Sequence, residues 1–424
     1  LLTAPLWDGS SLGKALPESP HAVSVSLPRW QDVIGYEEKK PEVVDRLALG
    51  YPRFVVHPFV RDLAKRIGQG LTCLPFPSLM SAKIGAAYVR HAARTTANIA
   101  LGNGVFGVVT PETGAQALKD FWQHAGFIVS SRRAEAALAE RREDAALGSE
   151  AKAELKQRLA ELYDCSPDDV LLMPTGMAAQ FLAFRVICDR RPNQRTIQLG
   201  FPYVDTLKIQ QKFGSGAELV TDLATGDAHI IASLAKESFA GVFAELPGNP
   251  LLGCADMQRI TPLLRRHGVP LVADDVIGTP YNLDFSGHAD LIATSLTKYF
   301  VGSCDTMGGA LVCNPRSPYY AELKAGAMEI YEDVLWAEDA AVLAARSRDF
   351  AERMQRHNRN GLFIAEKLRS HPAVEKVWYP KWENAAAYEA LRRPNGGYGS
   401  VLTFLPRNDT QTAPRIFDAM RVCK

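Results

Sequence analysis

Nowhere in this 424-residue chain do apolar residues run on for the roughly 20 positions that cross a bilayer, so no membrane partner is expected. An excess of charge of one sign is also missing. The 48 lysines and arginines stand against 47 aspartates and glutamates, for a net charge of +1, and the broad basic footprint of a nucleic-acid binder is absent. The seven cysteines (Cys73, Cys165, Cys188, Cys254, Cys304, Cys313 and Cys423) are scattered and form no C-x-x-C pair, and the nine histidines are equally dispersed. That excludes a disulfide framework and a zinc site; the thiols read as reduced and cytoplasmic, and no metal is expected. The start, Leu1-Leu-Thr-Ala-Pro-Leu-Trp-Asp8, has no basic region and no long apolar stretch, so no signal peptide is read there. Internal repeats and low-complexity tracts are lacking too. What is present, 47% hydrophobic residues, suffices to bury a large core in two or three domains.

From about residue 170 short apolar runs alternate with helical patterns. Val170–Met173, Thr196–Leu199, Gly241–Glu245, Val269–Ala273, Asp290–Thr294 and Gly309–Val312 read as buried strands. Met177–Cys188 and Asp256–Arg266 read as helices between them, and Ala151–Leu162 as an amphipathic helix before them. The alternation predicts an α/β fold with a mostly parallel, doubly wound sheet, whose ligands bind beyond the carboxyl ends of the strands. Residues 1–70 read as an N-terminal arm rich in Pro, Ser and Gly near its start, and 71–150 as an inserted mixed segment. Residues 151–357 read as a large cofactor-binding domain with a long helical region over about 320–358, and 358–424 as a smaller C-terminal α/β domain opening at Asn360-Gly361.

The candidate site residues cluster at the ends of these strands. Lys298, in Ser295-Leu-Thr-Lys-Tyr299, follows a strand among two hydroxyls and an aromatic ring, a setting suited to a lysine that forms an imine. Upstream lie Gly176-Met177, Tyr203, Asn249 and Asp274, which one cofactor can unite: pyridoxal 5′-phosphate. It needs a lysine, a carboxylate under the pyridine nitrogen, amides and hydroxyls for the phosphate, and an aromatic cover. Lys298 serves as the first of these and as general base. Asp274 serves as the carboxylate, and strand alternation lets only one of Asp274 and Asp275 point toward the ring. Gly176 and Met177, at a strand-to-helix turn, offer free amides, with Ser295 and Thr297 adding hydroxyls. Tyr203 can stack and assist proton transfer, and Asn249 can reach the cofactor's 3-oxygen or the substrate carboxylate. Gly102-Asn-Gly-Val-Phe-Gly107 matches a dinucleotide fingerprint, but a strand-like run overlaps its last glycine and no helix opens there.

Taken together, these motifs resemble the Cys/Met-metabolism family of pyridoxal-phosphate enzymes, which have the fold-type I architecture. Thr175-Gly-Met-Ala-Ala179 is similar to the family's phosphate loop, Tyr203-Val-Asp-Thr206 to its Y-x-x-T motif and Glu245-Leu-Pro-Gly-Asn-Pro250 to its E-x-P-x-N-P. Asp274–Pro280 resembles D-x-x-x-x-T-P, and Ser295–Tyr299 resembles the lysine motif. Tyr51-Pro-Arg53 resembles a Y-x-R that reaches the phosphate of a neighbouring subunit. The resemblance therefore implies a site shared across a dimer, within a homotetramer. His21–Trp30, Gly35–Glu38 and Gly50–Phe54 resemble the long-armed fungal cystathionine γ-synthases, a group with relatives in secondary metabolism.

The implied activity is γ-replacement on an O-acyl-L-homoserine such as O-acetylhomoserine, through a vinylglycine-type intermediate, with a thiol (cysteine) or a carbon nucleophile. A cystathionine γ- or β-lyase is the alternative, and a non-catalytic scaffold the alternative of another class. Amino-acid biosynthesis and secondary metabolism both stay open. Gly302-Ser303-Cys304 departs from the Gly-His of many members, and Gly248 from their Ser/Thr. The family's substrate-carboxylate arginine would lie past Lys424, so no clamp is named and the C-terminal domain reads as incomplete.

Overall fold

The structure, a computed structural model, describes residues 7–424; part of the leader reading, at positions 1–6, lies outside the described residues. At its centre is a seven-stranded sheet. In spatial order the strands are Val170–Met173, Gly309–Cys313, Leu291–Ser295, Leu271–Asp274, Phe239–Glu245, Arg195–Leu199 and Ala217–Val220. Gly309–Cys313 runs antiparallel to both neighbours and the other pairings are parallel, giving the α/β, mostly parallel sheet expected.

The unbroken apolar character of the strands follows from cover on both faces. Val170 and Leu172 enter one core with Leu155 and Leu159 of the helix Ala145–Tyr163. Leu171 and Met173 enter the other, with Ala179 and Ala183 of the helix Gly176–Arg190. The same alternation sends Leu271 and Ala273 to the first core and Val272 to the second. The edge strand Ala217–Val220 is not among the expected ones. It is largely unburied, with Leu219 41% exposed, so its sequence carries no core pattern.

Within 71–150 a second sheet forms, antiparallel, from Thr72–Phe76, Val105–Thr110 and Asn98–Gly102. The dinucleotide-like glycines lie here. Asn103 and Gly104 take φ of 48° and 76° in the tight turn between two strands, a hairpin use of Asn-Gly and not the start of a helix.

The helical region at 320–358 is three helices, Tyr320–Ile330, Ala337–Arg346 and Phe350–Arg369. The last one runs straight through Asn360 and Gly361, where the sequence pattern suggests a new unit, and so crosses the boundary drawn at 357/358. Gly361 is there for close packing: a Cβ at this position would lie 2.3 Å from the Gly399 carbonyl oxygen. Beyond it, Val374–Trp378 pairs with Thr403–Pro406, over a small core of Ala365, Val377 and Tyr379.

The arm does pack on something else, and that something is its own chain. Val23 N–H donates to the Cys304 carbonyl (2.8 Å), Leu27 N–H to the Lys424 carbonyl (2.8 Å), and the Trp30 ring meets Phe417 edge-on at 5.7 Å. Among the described residues no helix is long and apolar enough to cross a membrane.

Candidate active site

A cavity of about 740 Å³ opens at the carboxyl end of the parallel strands. All ten residues singled out in the sequence line it: Tyr51, Arg53, Gly176, Met177, Tyr203, Asn249, Asp274, Ser295, Thr297 and Lys298.

Lys298 sits in the wide turn Leu296–Phe300 that follows Leu291–Ser295, with its own backbone outside helical angles (φ −85°, ψ −117°). Its side chain is exposed to the cavity, and its Nζ lies 4.2 Å from the centre of the Tyr51 ring. Burial pushes the Tyr51 hydroxyl up, but Lys298 and Arg53 outweigh it and hold it below the usual tyrosine range. The turn is pinned from outside by Arg353, which donates to the carbonyls of Tyr299 (2.7 Å) and Phe300 (2.8 Å). Thr297 is held by Gly308, accepting from its N–H (3.0 Å) and donating to its carbonyl (3.3 Å).

The helix Gly176–Arg190 points its N-terminus at the cavity. Thr175 caps it, accepting from Ala178 N–H (3.0 Å) and donating to the Gly126 carbonyl (2.9 Å). The amides of Gly176 and Met177 remain for an anion. A side chain at Gly176 has no room, because its Cβ would lie 2.7 Å from the Ser295 Cβ; the bare backbone and Ser295 together make a cradle.

The two aspartates divide as strand alternation requires. Asp274 lines the cavity, accepting from Gln180 Nε2 (2.8 Å) and Val276 N–H (3.0 Å). Asp275 is 0% exposed and faces the other core, where Tyr163 donates to it at 2.7 Å. Burial, reinforced by Asp275, pushes the Asp274 acid up to about 7. Burial and then Asp274 push Glu245, its partner on the adjacent strand, up to about 8. Glu245 accepts from the N–H groups of Tyr203 (2.7 Å) and Asn249 (3.3 Å), and so fixes both loops that carry those residues.

Tyr203 is 36% exposed, and its hydroxyl accepts from Arg53 Nη2 (2.5 Å). Arg53 is 2% exposed; it pairs with Asp205 and donates to the Gln123 carbonyl (2.8 Å). His124 Nδ1 lies 2.8 Å from the other Asp205 oxygen. Burial works against the Asp205 charge, but His124 and Arg53 hold its carboxyl below the usual range. The resemblance implies that Tyr51 and Arg53 enter a neighbour's site. Here they enter the cavity of their own chain, because the arm is hydrogen-bonded to the loop after Lys298 and Arg53 finds a buried carboxylate there.

Several groups at the site escape sequence reasoning. Gln180 lies on the same face as Gly176, one turn on, which is a signal available from helical spacing. Asp205 carries no local signal, since its partner Arg53 is distant in sequence. Val23, Val25 and Leu27 of the arm form an apolar wall that only folding reveals.

Residues 141–424 match the family described as Cys/Met metabolism PLP-dependent enzyme. The chain belongs to this family. It is 30% identical to a cystathionine gamma-synthase of Neurospora crassa, over 97% of this chain and 89% of that protein. To an L-2-amino-4-chloropent-4-enoate dechlorinase/desaturase of Streptantibioticus cattleyicolor it is 34% identical, over 97% of this chain and 85% of the other. The crystal structure of metB from Corynebacterium glutamicum superposes with a TM-score of 0.53 at 24% identity, covering 62% of this chain and 68% of that one, and shares the fold. The protein is a cystathionine γ-synthase-like enzyme of a family that depends on pyridoxal phosphate.

The residues fit that cofactor. Asp274 is a carboxylate at the cavity with no ion-pair partner among the described residues, as a group awaiting a protonated ring nitrogen should be. The Gly176–Ser295 cradle suits a phosphate, and Lys298 projects into the same cavity beside Tyr51.

Proposed function

We propose that this enzyme replaces the γ-substituent of an O-acyl-L-homoserine with a thiol, cysteine first, or with a carbon nucleophile, using pyridoxal 5′-phosphate. The observation that carries this reading is the convergence of Lys298, Asp274, Tyr203 and the Gly176 helix end on one cavity. When bound, the cofactor supplies an electron sink for charge developing on the substrate's α- and β-carbons. The amides of Gly176 and Met177 and the hydroxyls of Ser295 and, once turned from the Gly308 carbonyl, Thr297 would hold its phosphate, with Tyr51 and Arg53 beside them. Asp274 would keep the ring nitrogen protonated, Tyr203 would cover the ring, and Asn249 would bind the cofactor's 3-oxygen or the substrate carboxylate. Lys298 Nζ holds the cofactor, then moves protons between the α- and β-carbons. The arm's apolar wall keeps water from the γ-carbon while the nucleophile enters.

The second reading is γ-elimination. The dechlorinase/desaturase relative favours it, because its name places a halogen on C4, the carbon that carries the leaving group in an acyl-homoserine. Product mass spectrometry decides between the two. O-acetylhomoserine is offered with cysteine, sulfide and a β-keto acid in parallel. Cysteine is expected to yield cystathionine. Without any nucleophile, slow release of 2-oxobutanoate and exchange of α- and β-hydrogens with solvent are expected. Exchange with product from the β-keto acid alone moves the assignment to carbon. 2-Oxobutanoate as the sole product throughout establishes the lyase. If neither exchange nor 2-oxobutanoate appears, γ-chemistry is lost altogether.

A homo-oligomer, a tetramer by resemblance, with arms exchanged between subunits belongs to the same reading. The contacts of Arg53 with Asp205 and Tyr203 can form within or between chains, as in domain swapping. Arg53→Ala and Lys298→Ala protomers are mixed after verified subunit exchange. With exchanged arms a mixed dimer has one intact site, and partial activity returns. No recovery means that the arm completes its own chain's site.

A further inference from the structure

Gln180 is the one polar residue in the buried stretch Met177–Phe184 of its helix, and it is 2% exposed. An amide in such a place costs stability unless it is bonded. Its Nε2 donates to Asp274 Oδ2 at 2.8 Å, while its Oε1 is buried without a partner among the described residues. The amide is thus oriented by Asp274 alone; turned over, it would set oxygen against carboxylate oxygen.

The surroundings of Asp274 explain why a donor is needed. Asp275 lies next in the chain and Glu245 opposite on the adjacent strand; both are acids that oppose its charge. The Tyr163 hydroxyl beyond Asp275 is committed to that residue. Lys298 is the favourable cation, and it makes no ion pair with Asp274 among the described residues. The direct supports of the charge are Val276 N–H, which is backbone, and Gln180.

We propose that Gln180 is a positioning residue that keeps Asp274 ionised and turned toward the cavity. One helix then sets both ends of the cofactor: its first turn receives the phosphate, and its next turn steadies the acid beneath the ring nitrogen. This rests on the pyridoxal-phosphate reading above.

The test uses the full chain with Gln180→Leu, which keeps volume and removes the donor, and Gln180→Glu, which keeps shape. Pyridoxal phosphate is titrated into each apo-protein and the bound cofactor's visible absorption is followed against pH. For Gln180→Leu the dissociation constant should rise about tenfold, and the pH midpoint of the absorption change should move up by about one unit, because the lost donor favoured the charged acid. With acyl-homoserine, kcat should fall about tenfold while KM stays within about twofold. The melting temperature should not fall, since leucine suits an apolar helix face. Gln180→Glu should lose more at alkaline pH than at acid pH, where its protonated carboxyl can still donate. An unchanged dissociation constant and midpoint in Gln180→Leu overturn the proposal, as does a lowered melting temperature with an unchanged midpoint, which marks a structural role. Failure of the wild-type protein to bind the cofactor overturns instead the reading on which it rests.

Discussion

Lys298→Ala is expected to lower turnover by more than about 10³-fold, since it removes both the cofactor's anchor and the proton carrier. The fold should survive. The lysine projects into a cavity, its contact is the face of Tyr51, and none of the core packing depends on it. Circular dichroism melts of variant and wild type should therefore overlay. Borohydride reduction followed by peptide mass spectrometry should label the wild type at Lys298 and leave the variant unlabelled. A second readout comes from Tyr51 in the apo-protein: without the Lys298 amine, which helps to hold its hydroxyl below the usual tyrosine range, that hydroxyl should titrate higher. Near-normal turnover in the alanine variant would end the assignment of this lysine.

Asp274→Asn should reduce kcat by about 10²-fold or more, while cofactor binding stays measurable. A neutral amide cannot keep a pyridine nitrogen protonated, and the charge-assisted contact is lost. Asp275→Asn should lower kcat by less than about fivefold, because the amide oxygen still accepts from the Tyr163 hydroxyl on the far side of the sheet. Its effect belongs to stability, at about 1–2 kcal/mol. Steady-state kinetics and thermal melts on the two variants in parallel separate catalysis from folding. The reverse ranking would mean that the wrong member of the pair has been placed under the ring.

Much of this molecule is legible before folding because its signals are local. Strand and helix alternation is written in short-range periodicity, and Val170–Met173 and the helix Met257–Arg266 emerge within a residue or two of their expected limits. Glycine before a helix and a lysine between hydroxyls are chemistry that shows within five residues, so Gly176, Asp274 and Lys298 can be named as candidates with no structure at all, and they line one cavity. Strand parity also says that Asp274 and Asp275 must diverge.

Parity does not say which of them faces the cavity. That depends on which core Ala273 joins, a matter of packing across the whole sheet. The charge environment of Asp274 is likewise tertiary: Glu245 becomes its neighbour only through strand register, and Gln180 only through a helix laid across the same face. Arg53 and Asp205, 152 positions apart, meet in a buried pair that neither motif announces. The helix through Gly361 misleads a local reading for the same reason, since the glycine answers to a backbone that passes above it and not to a break in its own chain. The amino-acid sequence by itself determined most of the buried elements and marked out the candidate groups, because periodicity and functional chemistry are properties of short segments. Only the tertiary structure decided which groups share a cavity and which charges they feel, because burial and neighbour are set by segments far apart in the chain.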